Sequence, residues 1–276
     1  MSRAGAVGRS TGSMLGRIYA VALNTFRWAI RHRFLIAVLI VSAGVMLFAL
    51  VLGQMSLHQE QRVAIDVALG GTSFFGCITA MVLGSLLLYT EVQRRTIHTM
   101  LAKPIERHEL LLGRYAGMAA SLTLLVAVSA VMMAGLFWLQ DVPFTAATAK
   151  SLILTWVEVL VVAAVAAFFS SFSSPVLSGV FTAGIWLVGR ATDELRAAVE
   201  SAASPVIRAA CRAALYAVPD LHLLQVSGST LDGVEVSVHG DFVSWSYVAA
   251  AAGHGALYVG VLLALAVVIF ARRDFL

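Results

Sequence analysis

Few residues in this chain are equipped for chemistry, and they stand in unusual places. Glu158 is a lone carboxylate inside the apolar run TWVEVLVVAAVAAFF. An isolated charge there is costly, so the group must be partnered or put to use. Arg190 and His254 are basic groups in comparable surroundings and are candidates to reach the same depth. A structural pair that orders the helices and a functional polar site are both open readings of this trio. Cys77 and Met81 are four apart, hence on one helical face, and offer two soft sulfur donors of the kind that bind copper. Ordinary packing explains them as well, and with no third ligand no metal site is assigned. Ser178 and His254, each beside glycine, supply the parts of a nucleophile–base dyad. Small residues next to Ser and His are also common where helices pack closely, and no catalytic residue is assigned.

The densest cluster of charge is EVQRRTIHTMLAKPIERHELLLGR, Glu91 to Arg114. Val92, Ile97, Met100 and Leu101 fall on one side of a helix, and Glu91, Arg94 and Arg95 take much of the other, with Thr96 between them. Glu91 at the helix start suits the macrodipole and is spaced to pair with Arg94 or Arg95. Pro104 ends this helix, because the residue before proline disfavours helical angles. A second helix comes after it and runs through Glu109. A solvated connector and a surface helix that passes force to the segments on either side both fit this pattern.

The elements that must position these residues are membrane-spanning helices. The chain has 276 residues, 60% of them hydrophobic and 12% charged, with a mean hydropathy of +0.89. That composition excludes an ordinary soluble domain. Two cysteines, Cys77 and Cys211, fit no zinc or disulfide framework. Apolar runs at 34–52, 67–89, 115–139, 151–169, 175–189 and 247–270 predict six spans in an all-α integral membrane protein. The fifth is short and must extend beyond Gly189 or sit where the bilayer is thin. Of the 19 Lys and Arg residues, 13 lie before the first span, in the 90–114 loop or at the C-terminus. The positive-inside rule then places both termini and the charged loop in the cytoplasm.

Residues 1–13 are small, polar and basic, which predicts a disordered tail and no cleavable leader. From Met14 to Arg33, Ile18, Val21, Leu23, Phe26 and Ile30 alternate with Arg17, Asn24, Arg27 and Arg31, the pattern of an amphipathic helix on the cytoplasmic face. Residues 14–276 then form one six-span domain. Its longest external loop is 190–246, where periodic apolar residues predict two short helices and alternating Val234, Val236 and Val238 a short strand.

The pattern E-x-x-x-R-T-I-x-T-x-L-A-K-P-I-x-R-x-E-x-L-L-G-R, in its place after a second span, resembles the first cytoplasmic loop of ABC-2-type transporter permeases. ALNTFRxAIR at 22–31, LGQMSxxQExRVxxD at 52–66, SFFG at 73–76, FFSSF at 168–172, VPDL at 218–221 and the terminal ARRDFL extend the resemblance, which is similar to the permease group named for NosY and associated with multicopper enzyme maturation. It implies a multi-pass permease of the bacterial cytoplasmic membrane that pairs with a second copy of itself and with two cytoplasmic ATPase subunits. The 91–104 segment would be the coupling helix, and Gln59, Glu60, Arg62 and Asp66 the external-loop motif. It further implies contact with membrane lipid, an extracytoplasmic partner protein, and no nucleic acid. ATP and magnesium would belong to the partner subunits, and no cofactor to this chain. The sequence agrees in lacking G-x-x-x-x-G-K-[ST], and its only lysines are Lys103 and Lys150. Two other classes stay open. The Ser178/His254 pair resembles an intramembrane serine protease of the rhomboid kind, although Val176 stands where a glycine is expected. A membrane scaffold that transports nothing is the third.

Overall fold

A computed structural model describes residues 4–31, 33–55, 60–86, 106–139 and 144–201, part of 206–236, and 244–272. Eight helices account for most of this: α1 Ala4–Arg31, α2 Arg33–Met55, α3 Glu60–Ser85, α4 Arg107–Leu139, α5 Ala146–Ser170, α6 Pro175–Arg190, α7 Thr192–Ser201 and α8 Trp245–Arg272. Each predicted apolar run lies almost wholly within one helix. Among the described residues, four helical stretches are long and apolar enough to cross a membrane: Ala64–Ser85, Arg107–Leu139, Ala146–Ser170 and Trp245–Ala271. Met14–Arg31 and Arg33–Ala49, bent by 57°, pass the same test as a pair, and α6 is a shorter apolar helix.

Helix α5 is the hub. It packs against α3, α4, α6 and α8 and is apolar on every side, as a helix surrounded by others must be. Its start is capped by Thr145, whose hydroxyl accepts from the Thr148 N–H at 3.4 Å. At its far end Ser170 Oγ donates to the Ser85 carbonyl at 3.3 Å, so α3 and α5 end on the same side of the bundle. In lipid, close packing rather than exclusion of water holds such helices together, and small residues allow the approach. A Cβ added to Gly84 would lie 2.4 Å from the Ala166 Cβ. Pro175 at the first position of α6 reverses the chain after the Phe168–Phe169–Phe172 aromatic turn.

The amphipathic N-terminal helix is seated on α4 at a second close crossing. Gly113 and Gly117 face Ile18, Val21, Ala22 and Thr25. A Cβ on Gly117 would meet the Ala22 carbonyl oxygen at 2.3 Å, a backbone atom that no rotamer change can move. Gly117→Val is therefore expected to lower stability by about 1–3 kcal/mol through overpacking. Gly135→Ala, on the same helix with nothing within 4 Å of the new methyl, should be neutral or slightly stabilising. Thermal midpoints of both variants in detergent check this; equal midpoints would remove the α1–α4 contact as a structural element.

Two features differ from the sequence reading. Helix α1 begins at Ala4, so most of the 1–13 tail expected to be disordered is helical. Extending an existing helix through a proline-free, alanine-containing stretch needs no new nucleation. The 190–246 segment also holds a short hairpin, in which Ser229–Leu231 pairs antiparallel with Val234–Val236. The second of these strands matches the expected valine alternation. The short apolar run at 175 does not extend past Arg190: the chain bends at Ala191, and α7 begins at Thr192. The 190–246 segment contains α7 and further helical residues between 206 and 215, in accord with two helices.

Candidate functional site

The shortness of α6 builds the site. Its 16 residues span about 24 Å, less than a hydrocarbon core of about 30 Å. Arg190 is its last residue, about 22 Å along the axis from Pro175. Glu158 and Ser73 each lie 12 residues before the ends of α5 and α3, Ser170 and Ser85, so both stand about 18 Å in from that side.

The three side chains meet. Ser73 Oγ donates to Glu158 Oε2 at 2.6 Å, and Arg190 donates through an Nη to Ser73 Oγ at 2.9 Å. Arg190 Nε lies 3.2 Å from Glu158 Oε1. Glu158 is 1% exposed, whereas the Arg190 side chain keeps 22% of its surface open. The guanidinium also stacks over Trp186, 4.8 Å from the ring centroid and one helical turn back on α6. Cys77, one turn beyond Ser73, is fully buried. The arrangement ties α3, α5 and α6 together around one charge pair whose positive member sits at a helix end.

Above it, the VPDL segment docks on the end of α6. The Leu221 N–H donates to the Gly189 carbonyl at 3.0 Å, and the Gly189 Cα packs so closely on Pro219 and Leu221 that a side chain there would clash. Thr192 Oγ1 donates to Asp220 at 2.8 Å, and Arg196 bridges Asp193 and Asp220. His222 Nε2 lies 2.7 Å from Asp193 Oδ2, and Tyr247 Oη donates to the Leu223 carbonyl at 2.8 Å. The 190–246 segment is in this way fastened to the start of α8 and to the helix that carries Arg190.

A second polar junction lies where α4 begins. The Glu106 N–H donates to Glu109 Oε2 at 3.2 Å, half of a capping box. Glu109, 1% exposed, also receives Arg17 of α1 at 2.7 Å. Arg107 donates to the carbonyls of Phe270 and Ala271, at 3.5 and 3.3 Å. Residues in the last part of the charged stretch, Arg107 and Glu109, are therefore bonded to α8 and α1.

Of the residues singled out in the sequence, Glu158 and Arg190 come together and His254 does not join them. His254 is exposed and lines a small cavity with Val161, Asp220, Leu224 and Tyr258. Ser178 is fully buried and donates to the Ala166 carbonyl at 3.1 Å. It lies 11 residues along α6 from Gly189, about 16 Å, while His254 shares its cavity with Asp220 and Leu221 beside Gly189. The dyad geometry is thus not assembled. Cys77 and Met81 both pack in the core. Asp66 is half-buried on α3; Glu60 and Arg62 belong to the first turn of α3, with side chains outside the described residues, as Gln59 is entirely. The coupling segment Glu91, Val92, Arg94, Arg95, Thr96, Ile97, Met100, Leu101 and Pro104 also lies outside the described residues.

No curated protein matches this chain. The family model described as "ABC-2 family transporter protein" matches residues 19–275, nearly the whole length and every helix discussed above. This multi-pass helical membrane protein belongs to the ABC-2 family of transporter proteins.

Proposed function

We propose that this chain is the permease subunit of an ATP-driven transporter of the NosY-like group, with six spans and both termini in the cytoplasm. It works as a dimer with two separate ATPase subunits, which bind ATP and magnesium. The 91–104 segment is the coupling helix, and an extracytoplasmic partner meets the external segment.

The observation that supports this reading best is the junction at the start of α4. A coupling element must pass displacement to the membrane helices instead of dissipating it in a slack hinge. Here Glu109 and Arg107 bond the exit of the charged loop to α1 and α8 at once. Movement of the loop is delivered to three helices together. The network at Glu158 lies on the same bundle, on α3, α5 and α6, and its Arg190 is joined through Gly189 to the external segment. The two polar junctions provide a route from one face of the membrane to the other.

Coexpression with the cognate ATPase subunit, followed by purification of the complex, tests the reading. The two should copurify in equal numbers, and reconstitution with this chain should stimulate ATP hydrolysis several-fold. Copurification without stimulation would point to the scaffold reading, and absence of both would overturn the permease assignment.

A further inference from the structure

One face of helix α1 packs on α4. Ile18, Val21, Ala22 and Thr25 are spent on α4, and Arg17 on Glu109. The outward row is Asn24, Arg27, Trp28 and Arg31, at steps of three and four, and these residues line an open depression. Arg27 and Arg31 are exposed, and Trp28 is 41% exposed. Among the described residues neither arginine pairs with a carboxylate, and α1 contains no Asp or Glu.

The neighbouring helix fixes the level of this row. Arg31 ends α1, the exposed Arg33 opens α2, and the exposed side chains of α2 then turn to Ile36, Ile40 and Val41, at 54, 68 and 50% exposure. The outer surface passes from cationic to apolar within about two helical turns. That transition marks the boundary between lipid headgroups and acyl chains, where tryptophan also concentrates. Two guanidinium forks flanking an indole, with a carboxamide one turn away, match a phosphodiester: the forks bind its oxygens, the amide adds a hydrogen bond, and the ring packs on the glycerol.

We infer that Asn24, Arg27, Trp28 and Arg31 form a binding site for the headgroup of an anionic phospholipid. The occupant is a membrane lipid, since the site opens onto the level where headgroups lie. Its effect is to fasten α1, on which the start of α4 rests. The inference needs only the membrane placement of α1 and α2, and stands whether or not the chain couples to an ATPase.

The test uses the full-length chain in nonionic detergent, titrated with phosphatidylglycerol, phosphatidylcholine or inorganic phosphate, with retained lipid read by native mass spectrometry. Wild type should retain phosphatidylglycerol at least tenfold more tightly than phosphatidylcholine. Arg27→Gln/Arg31→Gln should weaken that binding roughly thirtyfold, at about 1 kcal/mol for each basic residue near an anionic surface. Arg27→Lys/Arg31→Lys, which keeps the charge but not the fork, should lose only a few-fold, and it preserves the test if the glutamine variant fails to fold. Equal retention of the two lipids by wild type, or full retention by the glutamine variant, would overturn the inference. So would displacement by millimolar inorganic phosphate, which would mark a free-phosphate site, or arginine-dependent capture of an acidic ATPase surface without lipid preference.

Discussion

Arg190→Leu is expected to be the most destabilising single substitution in the intramembrane network, at about 3–5 kcal/mol. It strips the only cation within bonding distance of Glu158 among the described residues and leaves a 1% exposed carboxylate with Ser73 as its sole hydrogen-bond partner. Removing one member of a buried pair exposes the full desolvation cost of the other. The reverse substitution is not symmetric. In Glu158→Leu the remaining Arg190 stands at a helix end with 22% of its side chain open, and its long stem can swing toward the headgroups. Glu158→Leu should therefore cost less than Arg190→Leu. Glu158→Gln should cost least, since the amide oxygen still accepts from Ser73. In the double Leu variant both charges are gone, and the apolar replacements should recover most of the stability. Unfolding midpoints of the four variants in one detergent give the cycle. An Arg190→Leu midpoint equal to wild type would show that the pair holds nothing together.

Arg190 is the last residue of α6, and its neighbour Gly189 receives the Leu221 N–H. The 190–246 segment is thereby bonded to the residue next to the cation, while Glu158 is buried on the hub helix α5.

The legibility of the site in the sequence depends on what each residue's signal contains. Glu158 announces itself, because a carboxylate has no bland reason to interrupt an apolar run. Arg190 is legible as a candidate to reach its depth. His254 satisfies the same depth argument and goes elsewhere, because hydropathy fixes a residue's level along a helix but not which neighbour that helix faces. Ser73 carries no signal: serines in apolar helices commonly bond their own backbone, as Ser121 does to Gly117 here, and only the approach of α5 gives Ser73 a carboxylate. The Arg17–Glu109 contact joins residues 92 apart, a pairing no local pattern contains. Helix existence is the most legible feature, since long apolar runs leave the backbone no other choice in lipid. The hairpin of the 190–246 segment is half-visible, through one of its two strands.

Ile97→Asp should abolish stimulation of the ATPase subunit while leaving membrane insertion and the intramembrane network intact. The expected helix over 91–102 presents Val92, Ile97, Met100 and Leu101 as an apolar stripe, with Glu91, Arg94 and Arg95 on much of the other side. At an interface such a stripe supplies the anchors, and rim charges such as Arg94 and Arg95 set orientation and encounter rate more than affinity. A carboxylate at the centre of that contact must be desolvated without a partner, a cost large enough to empty the interface. Ile97→Leu keeps shape and polarity and should keep stimulation within about twofold. Arg107 is not a neutral comparison, although it lies beyond the proline, because it bonds the carbonyls of Phe270 and Ala271. Arg107→Ala should leave the ATPase bound but weaken stimulation, by loosening α4 from α8 at the point where displacement enters the bundle. Pull-down of the ATPase together with ATP hydrolysis in proteoliposomes separates these outcomes. Loss of binding in Ile97→Asp with retained binding in Arg107→Ala is the signature of a docking helix joined to a transmission element. Full stimulation by Ile97→Asp would reduce the loop to a solvated connector.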